Sequence, residues 1–440
     1  MSKPRRILRM TPVVVAASLL AGFAQAESLK QLHDQARQYD AAYLAARASA
    51  DAAEHRLAQS KAVWMPQVSA TMSESHAQNT VEVQAAGQTV DVTGSNNVRS
   101  GSISLQQSLF NRNNQVTISR AERGVALAKA QLRSAEQDLV IRLSQAYFDV
   151  LTAREALANA QASKAAIAEQ LASAKRSFEV GTATITDSRE AQARFDQAIA
   201  TEIAAQNDVQ VKQLALDQVV GKPGIAPNGV AKSVNVGALT TGTAEDWIQR
   251  AEAQSPGIEQ ARLALETAQL DIEAAKAGHL PTVGLQAQLA RSSLATNKAS
   301  NSVSISASIP LFSGFSVQNR VKETVALETV ARDNLEAARR NVILGTRQLF
   351  LGTQAGAAQV KALEAAEASN QLALEATQLG YKVGVRVNLD VLNAQTQLYN
   401  TRNSLAAARH NLILTQLRLR QTAGQLDGND LEQVDRLLAN

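Results

Sequence analysis

Hydrophobic and polar positions repeat with two different periods along this 440-residue chain. In PTVGLQAQLA (281–290) and SVSISASIP (302–310), apolar and small polar residues alternate, which is the period of a β-strand. Weaker alternation occurs at 68–73 and 102–105. Most of the remaining chain has helical periodicity. The pattern therefore predicts four strands, arranged as two hairpins, between long helical segments.

Strands of roughly ten residues with one apolar and one small polar face are typical of outer-membrane strands that contact lipid on one side and water on the other. A half-buried sheet in a soluble protein alternates in the same way, so the pattern leaves both open. Four strands cannot close a barrel, and open edges in lipid leave backbone groups without hydrogen bonds, so membrane strands would require several chains. No aromatic residue occurs in the predicted loops 76–98 and 292–300. An aromatic girdle is expected at only one rim, from Trp64, Phe110, Phe312 and Phe315.

The helical segments 112–178 and 315–380 contain no proline, and each could extend about 100 Å. The helix that returns after the second segment repeats large apolar residues every seven positions, with small residues three positions later. These large residues are Val391, Leu398, Leu405, Leu412 and Leu419. The spacing predicts coiled-coil packing at close approach, and an ordinary helical-bundle core is the alternative.

The chain contains a tandem duplication. The segment FEVGTATITD (178–187) matches YKVGVRVNLD (381–390), and KAVWMPQVSA (61–70) matches KAGHLPTVGL (276–285). Each half is expected to contain a helix, then a strand hairpin and then a helical hairpin. A repeat of this length, present in two copies, is unlike the short units of solenoid proteins.

These patterns divide the chain into nine predicted segments. They are a signal peptide (1–26), the helix of the first module (27–63), β-hairpin 1 (64–110), helical hairpin 1 (111–222), a linker (223–243), the helix of the second module (244–278), β-hairpin 2 (279–313), helical hairpin 2 (314–424) and a C-terminal segment (425–440).

The N-terminus predicts export. Four basic residues precede the apolar run 13–20, and Ala24-Gln25-Ala26 provides the small residues of a cleavage site before Glu27. A membrane anchor is the alternative, but the apolar run is shorter than the ~20 residues that span a bilayer. Without the signal peptide, the 44 Lys and Arg become 40, which equals the number of Asp and Glu. This balance gives no basic footprint for nucleic acid.

Nothing in the sequence predicts catalysis. The chain has no cysteine, and its five histidines show no metal-ligand spacing. It also lacks phosphate-binding and nucleophile motifs. We expect no enzymatic activity, no cofactor and no bound metal.

The segment GYKVGVRVNLDVLNAQTQLYN (380–400) and its partner FEVGTATITDSREAQARFD (178–196) resemble the two helical hairpins of the TolC family of outer-membrane channel-tunnel proteins. The resemblance covers essentially the whole mature chain. It implies a mixed α+β, mainly α fold: a tandem-duplicated protomer that gives four strands of a trimeric, 12-stranded transmembrane β-barrel, continued by a long periplasmic α-helical barrel. The implied location is the outer membrane of a Gram-negative cell, in contact with its lipid.

The resemblance also implies partners and a function. The homotrimer would receive a periplasmic adaptor (membrane fusion protein) and an inner-membrane pump or ABC transporter. It would passively conduct drugs or an unfolded secreted protein to the exterior. A soluble periplasmic coiled-coil scaffold or adaptor is the alternative function, and a hydrolase hidden behind the helices has no supporting residues.

The duplicated segments contain the turns of the two helical hairpins. Gly181 and Gly384 are expected to adopt the left-handed conformation that closes a helix C-terminus. The residues expected to cap the returning helices are Thr186 or Asp187 in the first hairpin and Asn388 or Asp390 in the second.

The resemblance assigns roles to residues at these turns. Tyr381 and Arg386 match positions whose side chains bond to a neighbouring hairpin and so hold the periplasmic gate closed. Thr186 and Asp187 match the positions on that hairpin that accept these bonds. Asp390 matches a ring of carboxylates at the pore constriction, while Asn393 stands where the best-known family member has a second aspartate. The predicted adaptor-docking tips are Gly181, Thr182, Gly384 and Val385.

Overall fold

A computed structural model gives the fold of one protomer. It describes residues 28–85, 87–228, 242–293 and 299–439. The predicted signal peptide (1–26) lies outside these residues. So do 229–241, within the predicted linker, and 294–298, within the predicted second strand loop.

The described residues form nine helices and four strands, besides a short 3₁₀ turn at Ala62–Trp64. The helices are α1 (Leu29–Tyr39), α2 (Ala41–Lys61), α3 (Arg112–Glu179), α4 (Ile185–Val220), α5 (Ala244–Gln254), α6 (Pro256–Ala277), α7 (Ser316–Lys382), α8 (Asn388–Thr422) and α9 (Asp430–Ala439). The strands are β1 (Gln67–Ala85), β2 (Gln88–Phe110), β3 (Thr282–Ser292) and β4 (Ala299–Ser308).

The duplication appears directly in the order of these elements. The set α1, α2, β1, β2, α3, α4 is followed by α5, α6, β3, β4, α7, α8. The long helices α3 and α7 have 68 and 67 residues, and the returning helices α4 and α8 have 36 and 35. Two long, proline-free helical hairpins thus follow two strand hairpins, as the sequence predicts.

The opening helix of each module is divided in two, which corrects the single helices predicted over 27–63 and 244–278. In the first module α1 ends at Tyr39, and the carboxylate of the next residue, Asp40, accepts a hydrogen bond from the Tyr43 backbone N–H (2.8 Å) and so caps α2. In the second, α6 begins at Pro256, which has no N–H to donate to the preceding turn. A capping aspartate and a proline therefore break the two helices at corresponding places.

The four strands form one antiparallel sheet in the order β1-β2-β3-β4. β1 and β2 have 19 and 23 residues, so residues 76–98 belong largely to strands, and the prediction of a loop there is wrong. Hydroxyl pairs across the ribbon, such as Thr80 with Thr93 at 3.1 Å, stabilise its polar part. Conversely, Ile309, predicted to lie in the last strand, follows the end of β4.

The strand register separates two faces. Because paired residues point to the same side of a sheet, the pairings place all the predicted apolar positions together. This apolar face carries Val68, Ala70, Met72, Ile103, Leu105, Leu285, Ala287, Leu289, Val303, Ile305 and Ala307. The opposite face is lined by serine, threonine and glutamine. The apolar face is largely uncovered, with Met72 91% exposed.

In the long bundle, α3 and α8 lie in the middle, α4 packs mainly on α3, and α7 packs mainly on α8. All five large residues of the predicted heptad are buried in α8, which confirms that spacing. The Asp435 carboxylate of α9 accepts hydrogen bonds from the Leu29 and Lys30 backbone N–H groups (2.7 and 3.0 Å), which joins α9 to the start of α1. No helix among the described residues has both the length and the hydropathy needed to cross a membrane.

Candidate functional site

The candidate site lies at the two turns of the helical hairpins, far from the sheet along α3 and α7. Gly181 and Gly384 have φ angles of 78° and 81°, so both adopt the expected left-handed conformation. Thr182 N–H bonds to the Ser177 carbonyl oxygen (2.8 Å), which closes the C-terminus of α3. Val385 N–H closes α7 in the same way, by bonding to the Gly380 carbonyl oxygen (2.9 Å).

The first turn has a complete capping box, but its capping residue is Thr184 and not the predicted Thr186 or Asp187. The Thr184 hydroxyl oxygen accepts from Asp187 N–H (3.2 Å), and the Asp187 carboxylate accepts from Thr184 N–H (3.0 Å) and from its hydroxyl (2.8 Å). Asp187 therefore occupies the third helical position and completes the box. Thr186 is exposed.

The second turn is capped more weakly. Its N-cap residue is Val387, whose side chain has no hydrogen-bonding group, and the Asp390 carboxylate accepts from Val387 N–H at only 3.4 Å. Asp390 also lies 3.8 Å from a terminal nitrogen of Arg386. Asn388, predicted as a capping residue, is buried and does not cap.

Within one protomer the predicted gate residues of the two turns do not meet. Arg386 pairs with Asp390 of its own hairpin, whereas Asp187 bonds to Thr184. Tyr381 packs against a small apolar cluster that contains Leu374, Val391 and Leu398. Bonds from Arg386 or Tyr381 to a neighbouring hairpin stay a prediction about a second copy of the chain.

The two turns are instead joined within the protomer by polar contacts that the sequence did not predict. Gln170 of α3 donates to the Asn388 side-chain oxygen, and Asn388 donates to the Asp187 carbonyl oxygen at 3.4 Å. One turn further along, Arg194 of α4 donates to the Asn393 side-chain oxygen at 3.2 Å. These partners lie about 200 residues apart in sequence and form no motif, so only the packing of α8 on α3 and α4 brings them together.

Apolar side chains surround the turn glycines and remain exposed in the protomer. They are Val180, Ile185, Val383, Val385 and Val387. Solvent-exposed branched residues concentrated at the end of a bundle are typical of a contact surface. Thr182 and Val385, predicted to contact the adaptor, both lie on this end.

A buried histidine lies between the two hairpins, away from the turns. The His410 ring of α8 stacks on Phe148 (5.4 Å between centroids), and its Nδ1 lies 2.6 Å from the Thr152 hydroxyl. Burial lowers the pKa of His410 to about 4, and the neighbouring Arg409 acts in the same direction. The Glu155 carboxylate lies 3.9 Å from His410 Nε2, and burial raises the pKa of this carboxyl group. His410 is therefore a neutral core residue near pH 7.

Comparisons with known proteins agree with this architecture. The family model described as outer membrane efflux protein matches residues 32–222 and 247–425, one segment for each duplicated half. Among solved structures, the outer membrane protein VceC from Vibrio cholerae superposes with a TM-score of 0.75 at 19% identity, covering 90% of this chain and 96% of that one. That similarity supports the fold.

Two curated relatives extend the comparison to sequence. The chain is 30% identical over 438 residues to outer membrane protein TolC of Vibrio cholerae, which covers 97% of this chain and 98% of that protein. It is 33% identical over 345 residues to the alkaline protease secretion protein AprF of Pseudomonas aeruginosa, covering 76% of this chain and 71% of that protein. Both halves match the family model, and the 30% identity to the Vibrio cholerae protein extends over nearly the whole chain. The chain therefore belongs to the outer membrane efflux protein family, whose members are outer-membrane channels for efflux and secretion.

Proposed function

We propose that three copies of this chain form one passive conduit that crosses the outer membrane and extends through the periplasm. Drugs or an unfolded secreted protein would pass through it from a periplasmic adaptor and an inner-membrane pump or ABC transporter. The energy for transport would come from these partners. Membership in the family favours this conduit over a soluble periplasmic scaffold.

The observation that carries the proposal is the four-stranded sheet. Its outer strands, β1 and β4, each pair with only one neighbour among the described residues, and its apolar face is largely uncovered. An apolar face is stable in lipid, but unpaired strand edges are not, because lipid offers no hydrogen-bonding partner. Pairing β1 of one copy with β4 of the next satisfies both edges, and three copies give twelve strands.

The outer helices of the bundle support the same arrangement. α4 and α7 lie on opposite sides of the pair α3 and α8, and both expose large apolar residues. On α7, Leu344, Leu351, Leu372 and Leu379 fall on one seven-residue repeat. On α4, the exposed residues include Ile199, Ile203, Val211 and Leu214. Contact of one copy's α4 with the next copy's α7 would bury both surfaces and close a ring.

The second turn is suited to a gate that opens and closes. Arg386 and Asp390 form an exposed, long ion pair, and such pairs contribute only about 0 to 1 kcal/mol. Arg386 can therefore exchange this partner for Asp187 and the Thr186 hydroxyl of an adjacent hairpin at little cost. Tyr381 would add one hydroxyl to the same contact. Three symmetric copies would make closure cooperative.

The constriction is proposed to lie at Asp390 and Asn393. Three Asp390 carboxylates would favour cations in the pore, whereas Asn393 adds no charge. Arg194, which hydrogen-bonds to Asn393, brings a positive charge to the same level of the bundle. We expect weaker cation preference, and weaker block by trivalent cations, than two acidic rings would give.

The exposed apolar end of the bundle is proposed to receive the adaptor. Gly181 and Thr182 form one tip of this surface, and Gly384 and Val385 form the other. Replacing Thr182 and Val385 by glutamate should abolish export without changing the yield of trimer. Loss of trimer in this variant would mean that the tips serve assembly instead.

Planar-bilayer recording tests the conduit and its gate together. The wild-type protein should form channels of low conductance, and Arg386→Ser, alone or with Tyr381→Phe, should raise the single-channel conductance because the gate contacts are lost. Asn393→Asp should increase the preference for cations. Arg340→Ser, at an exposed ion pair on the side of α7, serves as the control. An unchanged conductance in a correctly assembled Arg386→Ser trimer would exclude Arg386 as a gate residue.

A further inference from the structure

The apolar face of the sheet ends in a charged cluster that the proposed conduit does not use. The apolar positions reach Met72 on β1, and the next residue on that face is Glu74. Arg99 precedes the apolar positions of β2 on the same face, and Arg291 follows those of β3. Three neighbouring strands thus change from apolar to charged at the same level.

These three charged residues surround an open hollow, which we call the arginine hollow. Its volume is about 510 Å³, and Met72 and Gly101 contribute to its wall. Glycine leaves this wall open, since a side chain at residue 101 would meet only the Thr71 carbonyl oxygen at 3.9 Å. The hollow therefore has an apolar lower edge and room for a group of several atoms.

The register places both guanidinium groups on this hollow. Arg99 is paired with Glu74, and its Nε donates to the carboxylate at 2.9 Å. Arg291 is paired with Gly101, which makes it a diagonal neighbour of Arg99 across β2 and β3. Diagonal neighbours on one face are about 7 to 8 Å apart at the backbone, within reach of two long side chains.

The hollow carries a positive charge that the protomer does not neutralise. Glu74 offsets one arginine, and no described residue forms an ion pair with Arg291. The Arg99 side chain is 77% exposed, so its guanidinium can bond to a further group beside Glu74. Two planar guanidinium groups around one space match the oxygens of a phosphate.

The position of the hollow along the strands identifies the side of the membrane. All the strand ends that join α2, α3, α6 and α7 lie at the opposite end of the sheet, toward the periplasmic bundle. The aromatic residues, including Phe110 and the Phe312–Phe315 pair (5.5 Å between ring centroids), lie at that periplasmic end. Where the apolar face ends on the outer side, β2 and β3 carry arginines where a second aromatic girdle would be expected, and the β1–β2 pair continues beyond this level.

We propose that the arginine hollow binds the phosphate group of an anionic lipid in the outer leaflet of the outer membrane. Arg99 and Arg291 would donate to the phosphate oxygens, while Glu74 holds the Arg99 side chain in place. The acyl chains of the same lipid would lie along Met72, Ile103 and Leu289 below. The phosphate thus anchors the rim of the sheet at the level of the headgroups.

Native mass spectrometry of the purified, assembled protein tests this site. The probes are a diphosphorylated glycolipid and its dephosphorylated form, each added in mild detergent. The wild-type protein should retain the phosphorylated lipid at least tenfold more strongly. Arg291→Gln should weaken retention about tenfold, because one charge-assisted interaction is lost, and Arg99→Gln should act similarly. The double variant should bind both lipids equally.

Two controls distinguish a lipid site from a general effect of charge and from a site for free anions. Arg340→Gln removes an arginine of similar exposure (76%) that is also paired with a glutamate, but lies on α7, and should leave retention unchanged. Inorganic phosphate at millimolar concentration should not displace the lipid, because it cannot use the apolar edge.

Several results would overturn the proposal. Equal retention of the two lipids by the wild-type protein would exclude a phosphate site, and this comparison needs no variant to assemble. Displacement by inorganic phosphate alone would indicate a site for free anions. An equal loss in Arg340→Gln would indicate a general effect of charge. Neither the gate nor the adaptor surface enters these measurements, so failure of the proposed conduit function would not produce the same results.

Discussion

The helices α4 and α8 occupy equivalent places in the two halves of the chain, yet they are packed very differently. They have 36 and 35 residues, and each follows a left-handed glycine turn. Sixteen described residues of α8 are buried, compared with five of α4. α8 packs against both α3 and α7, whereas α4 packs mainly against one long helix, α3. The duplicated helices have therefore diverged into a core helix and an edge helix.

The turns before these two helices differ in the opposite sense, because the less buried helix has the stronger cap. TITD at 184–187 forms a complete capping box, whereas VNLD at 387–390 has valine in place of the capping threonine. The edge helix α4 follows the firmly capped turn, and the core helix α8 follows the turn whose charged residues can change partners. A stable core helix that begins at an adaptable turn is well suited to a gate that moves while its support does not.

The largest effect is expected where the two helices differ most in burial. Leu417 in α8 and Leu214 in α4 occupy equivalent positions after their turn glycines, and they are 2% and 68% exposed. Leu417→Ala should lower the free energy of unfolding by about 2 to 5 kcal/mol, because a core cavity is created. Leu214→Ala should change the unfolding of the protomer by only about 0.5 kcal/mol and should mainly lower the trimer fraction.

Urea titration followed by circular dichroism measures the first effect, and light scattering in detergent measures the second. Equal losses of unfolding free energy in the two variants would contradict the assignment of α4 to the edge of the protomer.

A pH-dependent effect is expected at a buried residue of α8 and not at the equivalent position of α4. His410 in α8 corresponds to Asn207 in α4, which does not titrate. Since burial lowers the pKa of His410 to about 4, the unfolded chain binds a proton at this residue between about pH 6.5 and pH 4, and the folded chain does not. The contribution to stability is therefore present above pH 6.5 and is lost as the pH falls toward 4, by roughly 3 kcal/mol in total.

Unfolding measured at pH 7.5 and pH 4.5, in wild-type protein and His410→Gln, isolates this contribution from that of Glu155. The variant should lose less stability than the wild type over this range. A parallel loss in both proteins would show that His410 does not cause the pH dependence.

The smallest effect is expected at the capping residues. Thr184→Ala should destabilise the start of α4 by about 1 kcal/mol, because it removes the hydroxyl that accepts from Asp187 N–H. Val387→Thr should complete a capping box with Asp390 and stabilise the start of α8 by up to about 1 kcal/mol. Hydrogen exchange of the first-turn amides measures both changes, which should have opposite signs. If hydrogen exchange at the start of α8 does not become slower after Val387→Thr, the second turn cannot adopt the geometry of the first.

Local sequence rules determined much of this protein. The duplication, the two proline-free helical hairpins, the apolar strand face and the left-handed glycines at 181 and 384 follow from periodicity and from backbone conformation, which depend on near neighbours. The buried heptad of α8 was also predicted, because its spacing is a property of one helix. The family resemblance came from the same short segments.

Other features were decided by contacts between distant parts of the chain. The polar residues of 76–98 predict a loop when taken alone, but they become strand because β1 and β2 pair along their whole length. Asn388 turns away from its own helix because Gln170 and Asp187 offer better partners.

The difference between α4 and α8 shows most clearly what the sequence alone determined and what tertiary structure added. Both sequences specify a long helix after a glycine turn, because neither 185–220 nor 388–422 contains a glycine or a proline that would break it. Which helix enters the core depends on the packing of α8 between α3 and α7. Likewise, Arg99 and Arg291 lie on separate strands, and only the sheet register brings them to one hollow, since register is fixed by pairing between strands that are distant in the chain.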